Sequence, residues 1–255
     1  MIHAQLKRGW QPMLAIFIFL FIWEISVRLF AIEEWLLPSP TVILEEFGKV
    51  WPQFIPHLQS TVFLAICGFL IGASVGLVVA TVLHLFKPIR DTFYPFLILS
   101  QNIPIIVLAP LLVIWFGFGS LPKFIVITIA CFFPIAVSAL SGLQQTNRDL
   151  YNYMSMMGAT KKQLFIKLEL PHAIPSIMAG MKIAATYSVM AAVISEWLGA
   201  QKGIGVFMTL AVSSYKTSRV FVAIIVTMLL SLLFFAVIAL IEKYLVRWKQ
   251  KGEPS

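Results

Sequence analysis

The 255-residue sequence has few charged residues for its length. Charged side chains make up only 12% of it, whereas hydrophobic residues make up 60%. Soluble domains carry roughly 25% charged and about 45–50% apolar residues. The chain therefore lacks the polar surface of a water-soluble globule, and we expect most of it to lie in a bilayer. The same composition excludes a disordered, a collagen-like or a disulfide-scaffold protein.

Side chains for metal, disulfide or nucleotide chemistry are also scarce. The two cysteines, Cys67 and Cys131, lie inside apolar runs and are interpreted as small hydrophobic residues. The four histidines follow no ligand spacing, and the sequence contains neither H-E-x-x-H nor the phosphate-binding pattern G-x-x-x-x-G-K-[ST]. We therefore expect no metal, no cofactor and no catalytic residue, and we expect that this polypeptide does not itself hydrolyse ATP.

Six apolar runs are long enough to cross a bilayer, which takes about 20 residues in a helix. They cover residues 13–32, 58–86, 93–116, 124–143, 176–198 and 220–244. The third contains Pro104 and Pro110, which remove backbone hydrogen bonds, so we expect it to be kinked or broken. The sequence thus predicts an all-α membrane protein in which residues 1–255 form a single transmembrane domain.

The distribution of basic residues predicts the orientation. With the N-terminus in the cytoplasm, twelve Lys and Arg residues lie in inside segments and five in outside segments. Because basic residues concentrate on the cytoplasmic side, we expect both termini there, together with residues 144–175, which we name the long connection. The net charge of +8 would suggest a nucleic-acid partner for a soluble protein, but here we expect a lipid bilayer and no nucleic acid.

Few ionisable residues fall near or within the predicted spans. Glu24 and Arg28 are four residues apart and are expected to pair on one helix. Lys182 lies near the inner end of the fifth span, from where its side chain can reach the interface. Glu196, near the outer end of that span, has two interpretations: it lines a gate or pathway, or it is an interfacial acid exposed to water. No buried relay of acids and histidines is apparent, which argues against a proton-coupled transporter.

Small residues form a stripe along the second span. The stripe comprises Ala65, Gly68, Gly72, Gly76 and Ala80. Small residues on one helical face allow another helix to approach closely. The sequence leaves open whether that helix belongs to a second subunit or to the same chain.

The long connection is predicted to fold as two short helices. Asn147 or Asp149 can cap the first helix, and Gly158 suits the left-handed position that ends it. Thr160, with Gln163 three residues on, is a capping box for the second helix. A polar connection between spans need not fold in this way, so we interpret the segment as a rigid docking element.

Apolar residues give the second of these helices one distinct face. Leu164, Phe165 and Leu168 share that face, and Pro171 is expected to stop the helix. We expect these apolar side chains to be exposed in the cytoplasm, where they would dock into the groove of a partner protein. The alternative is an interfacial helix that lies on the lipid headgroups.

The spacing in the long connection resembles the cytoplasmic signature of ABC importer permeases. That signature reads E-A-A, three residues, Gly, nine residues, Ile, one residue, Leu-Pro. Here Gly158 is followed after nine residues by Leu168 and then by Leu170-Pro171, and Asn152-Tyr153-Met154 stands in place of E-A-A.

Further segments are similar to the nitrate/sulfonate/taurine subgroup of these permeases, and the likeness extends from about Trp35 to Trp248. The similar segments are residues 35–40, 103–111, 115–119 and 195–205. Residues 195–208 look most like permeases for the pyrimidine precursor of thiamine.

The resemblance implies a six-span permease subunit of the type I ABC importer kind, which moves a small solute delivered by an external binding protein. It implies a second permease copy, cytoplasmic ATP-binding subunits and an extracytoplasmic solute-binding protein as partners in the cell membrane. The residues expected to couple the permease to the ATPase are Gly158, Ala159, Leu164, Phe165, Leu168, Leu170 and Pro171. The candidate pathway or gate residues are Pro104, Pro110 and Glu196. A secondary transporter independent of an ATPase is the alternative; a membrane-embedded enzyme is disfavoured because the spans hold no catalytic constellation.

Overall fold

The computed structural model describes residues 2–246, with the backbone alone for residues 2–9. The helices are α1 (Ile2–Leu29), α2 (Pro40–Leu85), α3 (Lys87–Ser100), α4 (Ile105–Phe116), α5 (Ser120–Gln144), α6 (Arg148–Met156), α7 (Lys161–Leu164), α8 (Leu170–Glu196), α9 (Ile204–Ser213) and α10 (Thr217–Leu245). A π-helical segment, Phe165–Glu169, joins α7 to α8 and is named the π-turn. The basic residues Arg247, Lys249 and Lys251, which contribute to the predicted orientation, lie outside the described residues, as does Trp248.

The described helices account for the six predicted spans. Within residues 2–246, five helices are long and apolar enough to cross a bilayer, and there are six when α3 and α4 are taken as one broken span. These two helices meet at an angle of 100°. The predicted break is confirmed, because α3 ends at Ser100 and the next helix begins only after Pro104. Pro110 lies inside α4 and does not end it.

Helix α2 is much longer than the predicted second span, because it begins at Pro40 rather than near residue 58. Proline suits the first turn of a helix, where the missing N–H would have had no partner. Pro52 and Pro56 lie further along and each removes one backbone hydrogen bond. The helix continues past them because helically spaced side chains of this stretch are buried against the bundle. These buried side chains are Ile43, Val50 and Phe54.

Helix α5 lies at the centre of the bundle, between α2 and α8. The small-residue stripe of α2 faces it: a Cβ atom at Gly72 would lie 2.7 Å from Cβ of Cys131 and 2.9 Å from the carbonyl oxygen of Thr128. A Cβ atom at Gly76 would lie 3.1 Å from the carbonyl oxygen of Phe132. These distances leave no room for a side chain. The stripe therefore packs within the chain, and its interpretation as a subunit interface is wrong.

Helix α7, the π-turn and α8 form one continuous helical segment from Lys161 to Glu196. The prediction that Pro171 stops the helix is therefore wrong. Pro171 follows the π-turn directly, and there the N–H of Leu170 donates to the carbonyl oxygen of Phe165, five residues back. The wider turn relieves the clash that a proline ring makes with the preceding turn of an α-helix, so the helix continues.

Ion pairs lie both within and between the spans of the bundle. Nε of Arg28 lies 2.6 Å from Oε1 of Glu24, as predicted, and the same carboxylate accepts hydrogen bonds from Thr41 at the start of α2. Nζ of Lys182 on α8 lies 2.7 Å from Oε2 of Glu242 on α10. The side chain of Lys182 thus pairs within the bundle and does not extend alone to the interface.

Candidate functional site

Local capping signals shape the long connection as predicted. The side chain of Asn147, rather than Asp149, accepts hydrogen bonds from two backbone N–H groups of the first turn of α6, at 2.8 and 3.3 Å. Gly158 follows α6 with φ of +82°. The N–H of Thr160 donates to Oε1 of Gln163 at 2.8 Å, and the N–H of Gln163 donates to Oγ1 of Thr160 at 3.3 Å. These bonds form the predicted capping box, and they start the helix that continues as α8.

The apolar face that begins on α7 packs at least partly within the chain. Leu164 is buried, and the partly buried ring of Phe165 lies 6.1 Å from the ring of His84. The prediction that Leu164 is exposed is wrong, because α7 continues into α8 and shares the buried face of that helix. Among the other predicted coupling residues, Ala159, Leu168 and Pro171 are half-buried, whereas Gly158 and Leu170 are exposed.

The most exposed apolar side chains of the long connection belong to α6 and the residue after it, whereas Ile166 and Leu170 are exposed to a smaller extent. Met156 is 80% exposed and Met157 73%, and Leu150 and Tyr153 are also exposed. No residue of α6 is buried. We name these four side chains the α6 surface. Sequence reasoning missed it, although the three-residue spacing of positions 150, 153 and 156 places them on one side of a helix.

A cavity of about 790 Å³ lies beside α6. Charged side chains line it on both sides: Arg148 belongs to α6, and Arg90 and Asp91 to α3. His84, in the last turn of α2, and Glu169, in the π-turn, also line it, and Nε2 of His84 lies 2.9 Å from Oε2 of Glu169. The cavity separates α6 from α2 and α3, so α6 has space around it.

Glu196 forms a second cluster at the far end of α8. Its side chain is only 1% exposed. Oε1 accepts a hydrogen bond from the hydroxyl of Thr61 at 2.7 Å, and Oε2 accepts one from the N–H of Gly205 at 2.9 Å. The N–H of Ile204 donates to the Thr61 oxygen at 2.8 Å. The interpretation of Glu196 as a water-exposed acid is therefore wrong, because the carboxylate ties α2 to the end of α8 and the start of α9.

The loop after α8 packs tightly around this carboxylate. A Cβ atom at Gly203 would overlap the carboxylate of Glu196, and one at Gly199 would overlap the ring of Phe118. Phe118 lies in the turn between α4 and α5, so that turn meets the Glu196 cluster. Pro104 lies at the other end of α4, about 18 Å along the helix, and Pro110 lies in its middle.

The Gly203→Ala substitution is expected to destabilise the protein by about 2 kcal/mol or more, because it combines a left-handed φ of +139° with overlap on Glu196. The matched control is Gly117→Ala, at φ of +76° with nothing within 4 Å of the added Cβ. Thermal unfolding of the purified variants measures the difference. Equal losses would show that the contact with the carboxylate is unimportant.

Comparison with known proteins identifies the family to which the sequence belongs. Residues 68–247 match the family described as the binding-protein-dependent transport system inner membrane component. The chain is 35% identical over 250 residues to the formylaminopyrimidine transport permease protein ThiX of Halalkalibacterium halodurans, covering 96% of this chain and 100% of that protein. It is 26% identical over 250 residues to the putative aliphatic sulfonates transport permease protein SsuC of Bacillus subtilis, covering 97% and 91% of the two chains.

Solved structures share the fold. A structure of the MetNI methionine ABC transporter in an inward-facing conformation superposes with a TM-score of 0.68 at 18% identity, covering 78% of this chain and 98% of that chain. An amino acid ABC transporter with histidines superposes with a TM-score of 0.64, also at 18% identity, covering 78% and 97% of the two chains. The predicted fold of a type I importer permease is confirmed.

Proposed function

Because this chain belongs to the family of binding-protein-dependent transport inner membrane components, and is thus the permease subunit of an ABC importer, we propose that it imports a formylaminopyrimidine-like precursor of thiamine. The observation that supports this substrate is the 35% identity over the full length of ThiX. The second candidate is an aliphatic sulfonate or taurine, because likeness to SsuC also spans 97% of the chain, at 26% identity. As a transport subunit, the polypeptide is not itself an enzyme.

The proposed complex contains two copies of this permease, each a single domain of residues 1–255, with the pathway between them. Two ATP-binding subunits sit on the cytoplasmic side and a solute-binding protein on the other side. The excess of basic residues in the segments on the side of the long connection supports this orientation, with both termini in the cytoplasm. The α6 surface supports the ATPase contact, because it is apolar and the chain itself leaves it uncovered.

The proposed mechanism is alternating access, in which the ATPases close on ATP and displace α6. Gly158 and the capping box fix the angle between α6 and the next helix. That helix runs for 36 residues from Lys161 to Glu196, or about 54 Å. It therefore extends from the turn next to the α6 surface to the Glu196 cluster. Glu196 holds the outer loop in place and does not touch the solute, whereas Pro104 and Pro110 shape the bent span beside the pathway.

Transport by the complete complex tests the function. We expect proteoliposomes holding the permease, its ATPase and its binding protein to take up radiolabelled formylaminopyrimidine only with ATP. A protonophore should leave uptake unchanged, and a 100-fold excess of taurine should not compete. Uptake of taurine without uptake of the pyrimidine would move the protein to the sulfonate branch. Uptake that needs no ATP and stops with the protonophore would contradict the importer mechanism.

A further inference from the structure

The π-turn is the irregular element in the helix that joins α6 to the bundle. It spans Phe165–Glu169, directly after α7 and directly before α8. A π-turn accommodates one more residue than the corresponding turn of an α-helix, and such turns occur frequently at functional sites. It changes which side chains face the bundle on either side of it, so it sets the rotation of α7 relative to α8.

One residue of the π-turn reaches across to another span. Glu169 pairs with His84, in the last turn of α2, at 2.9 Å, and both side chains are only 13% exposed. Nδ1 of His84 is buried and has no hydrogen-bond partner among the described residues. The pair therefore lies between two elements in a largely enclosed position, with the ring of Phe165 beside it.

Among the described residues that line the cavity, His84 and Glu169 form the ion pair that joins two different elements. The 790 Å³ cavity separates α6 from α2 and α3, and its other charged lining residues are Arg90, Asp91 and Arg148. Arg90 lies 3.3 Å from Asp91, its sequence neighbour, so this second ion pair does not cross to another element. A displacement of α6 can enter the bundle at either end of that helix, through residues 145–147 to α5 or through α7 to the π-turn, where Glu169 meets His84 of α2.

From this geometry we infer that His84 and Glu169 are positioning residues for energy coupling. When α6 is displaced, the π-turn moves with it, and the contact between Glu169 and His84 transmits that movement to α2. The inference rests on the proposed function and adds a second route beside the one along α8. A buried ion pair is weak evidence for stability, since apolar residues of similar volume often hold two helices equally well. A hydrogen-bonded pair, however, fixes one direction and one separation, so the two elements move together.

The test measures solute carried per ATP hydrolysed in the assembled complex. We expect His84→Ala and Glu169→Ala each to lower this ratio at least fivefold, while basal ATPase activity and assembly stay near wild type. The double variant should be no worse than either single variant, because both remove the same contact. Glu169→Gln retains an acceptor at the same position and should keep most of the wild-type ratio.

The matched control is a second part-buried ion pair between two helices, Lys182 with Glu242, which joins α8 to α10 at 2.7 Å. Lys182→Ala and Glu242→Ala should leave the ratio unchanged. Three results would overturn the inference. The ratio could be unchanged in the His84 and Glu169 variants, it could fall equally in the variants of both ion pairs, or the losses of the single variants could add up in the double variant. The ratio is measured with whichever solute the wild-type complex carries, so a wrong substrate assignment does not affect it. A wild-type complex whose transport needs no ATP would instead contradict the proposed function.

Discussion

The Met156→Asp variant is expected to fold normally but to lose ATP-driven uptake. Met156 is 80% exposed, so its replacement removes no contact within the chain. In the proposed complex the same position lies against an apolar groove of the ATPase. A carboxylate without a counter-charge there costs about 3 kcal/mol or more, which corresponds to roughly 100-fold weaker binding. Co-purification of the ATPase with the tagged permease measures this loss directly.

Two further variants separate docking from folding. Met156→Leu keeps the apolar contact and should retain the ATPase. Leu164→Asp changes a side chain that is 4% exposed inside the chain itself, so it should lower the yield and thermal stability of the isolated permease. If Met156→Asp retains its ATPase and transports normally, the α6 surface is not the docking surface. The lipid headgroups would then be its natural contact.

The second large effect is expected for Gly158→Val. Gly158 has φ of +82°, and a Cβ atom added there would meet nothing within 4 Å. The requirement for glycine is therefore conformational, and a side chain costs about 1–2 kcal/mol in the left-handed region. The turn can relieve that strain only by changing the angle between α6 and α7. We expect uptake to fall about tenfold or more, and ATPase activity no longer to respond to the loaded binding protein.

The chain offers two controls for this variant. Gly158→Asn should keep most of the uptake, because asparagine tolerates the left-handed conformation better than other residues with a side chain. Gly48→Val adds the same side chain at another position with open space, but within the regular helix α2. If Gly158→Val and Gly48→Val have equally small effects, the left-handed turn has no part in coupling.

Features set by neighbouring residues were predictable from the sequence. The spans follow from length and hydropathy, and the break before Pro104 follows from the chemistry of proline. The Asn147 cap, the left-handed Gly158 and the Thr160–Gln163 capping box each depend on fewer than five consecutive residues. Such signals act within one turn, so tertiary packing did not change them.

Features set by distant residues were not predictable. Leu164 has the same helical spacing whether it faces a partner or its own bundle, and only the continuity of α7 with α8 decides between them. Pro171 taken alone predicts a helix stop, because the π-turn that accommodates it has no simple sequence signal. Glu196 meets Thr61, 135 residues earlier in the chain, and a single sequence gives no indication of such a contact.

The contact of α2 with α5 restricts the kind of motion that alternating access can use. Where Gly72 meets Thr128, the two helices touch almost backbone to backbone. Between Gly72 and Gly76 the backbones leave no room for a side chain, so a slide that moved the glycines away from Cys131 and Phe132 would bring bulkier groups of the two helices into contact. A shear movement between these two helices is therefore blocked. In the proposed mechanism we therefore expect α2 and α5 to move as one rigid body, with bending at interruptions such as residues 101–104, where α3 ends and α4 has not yet begun.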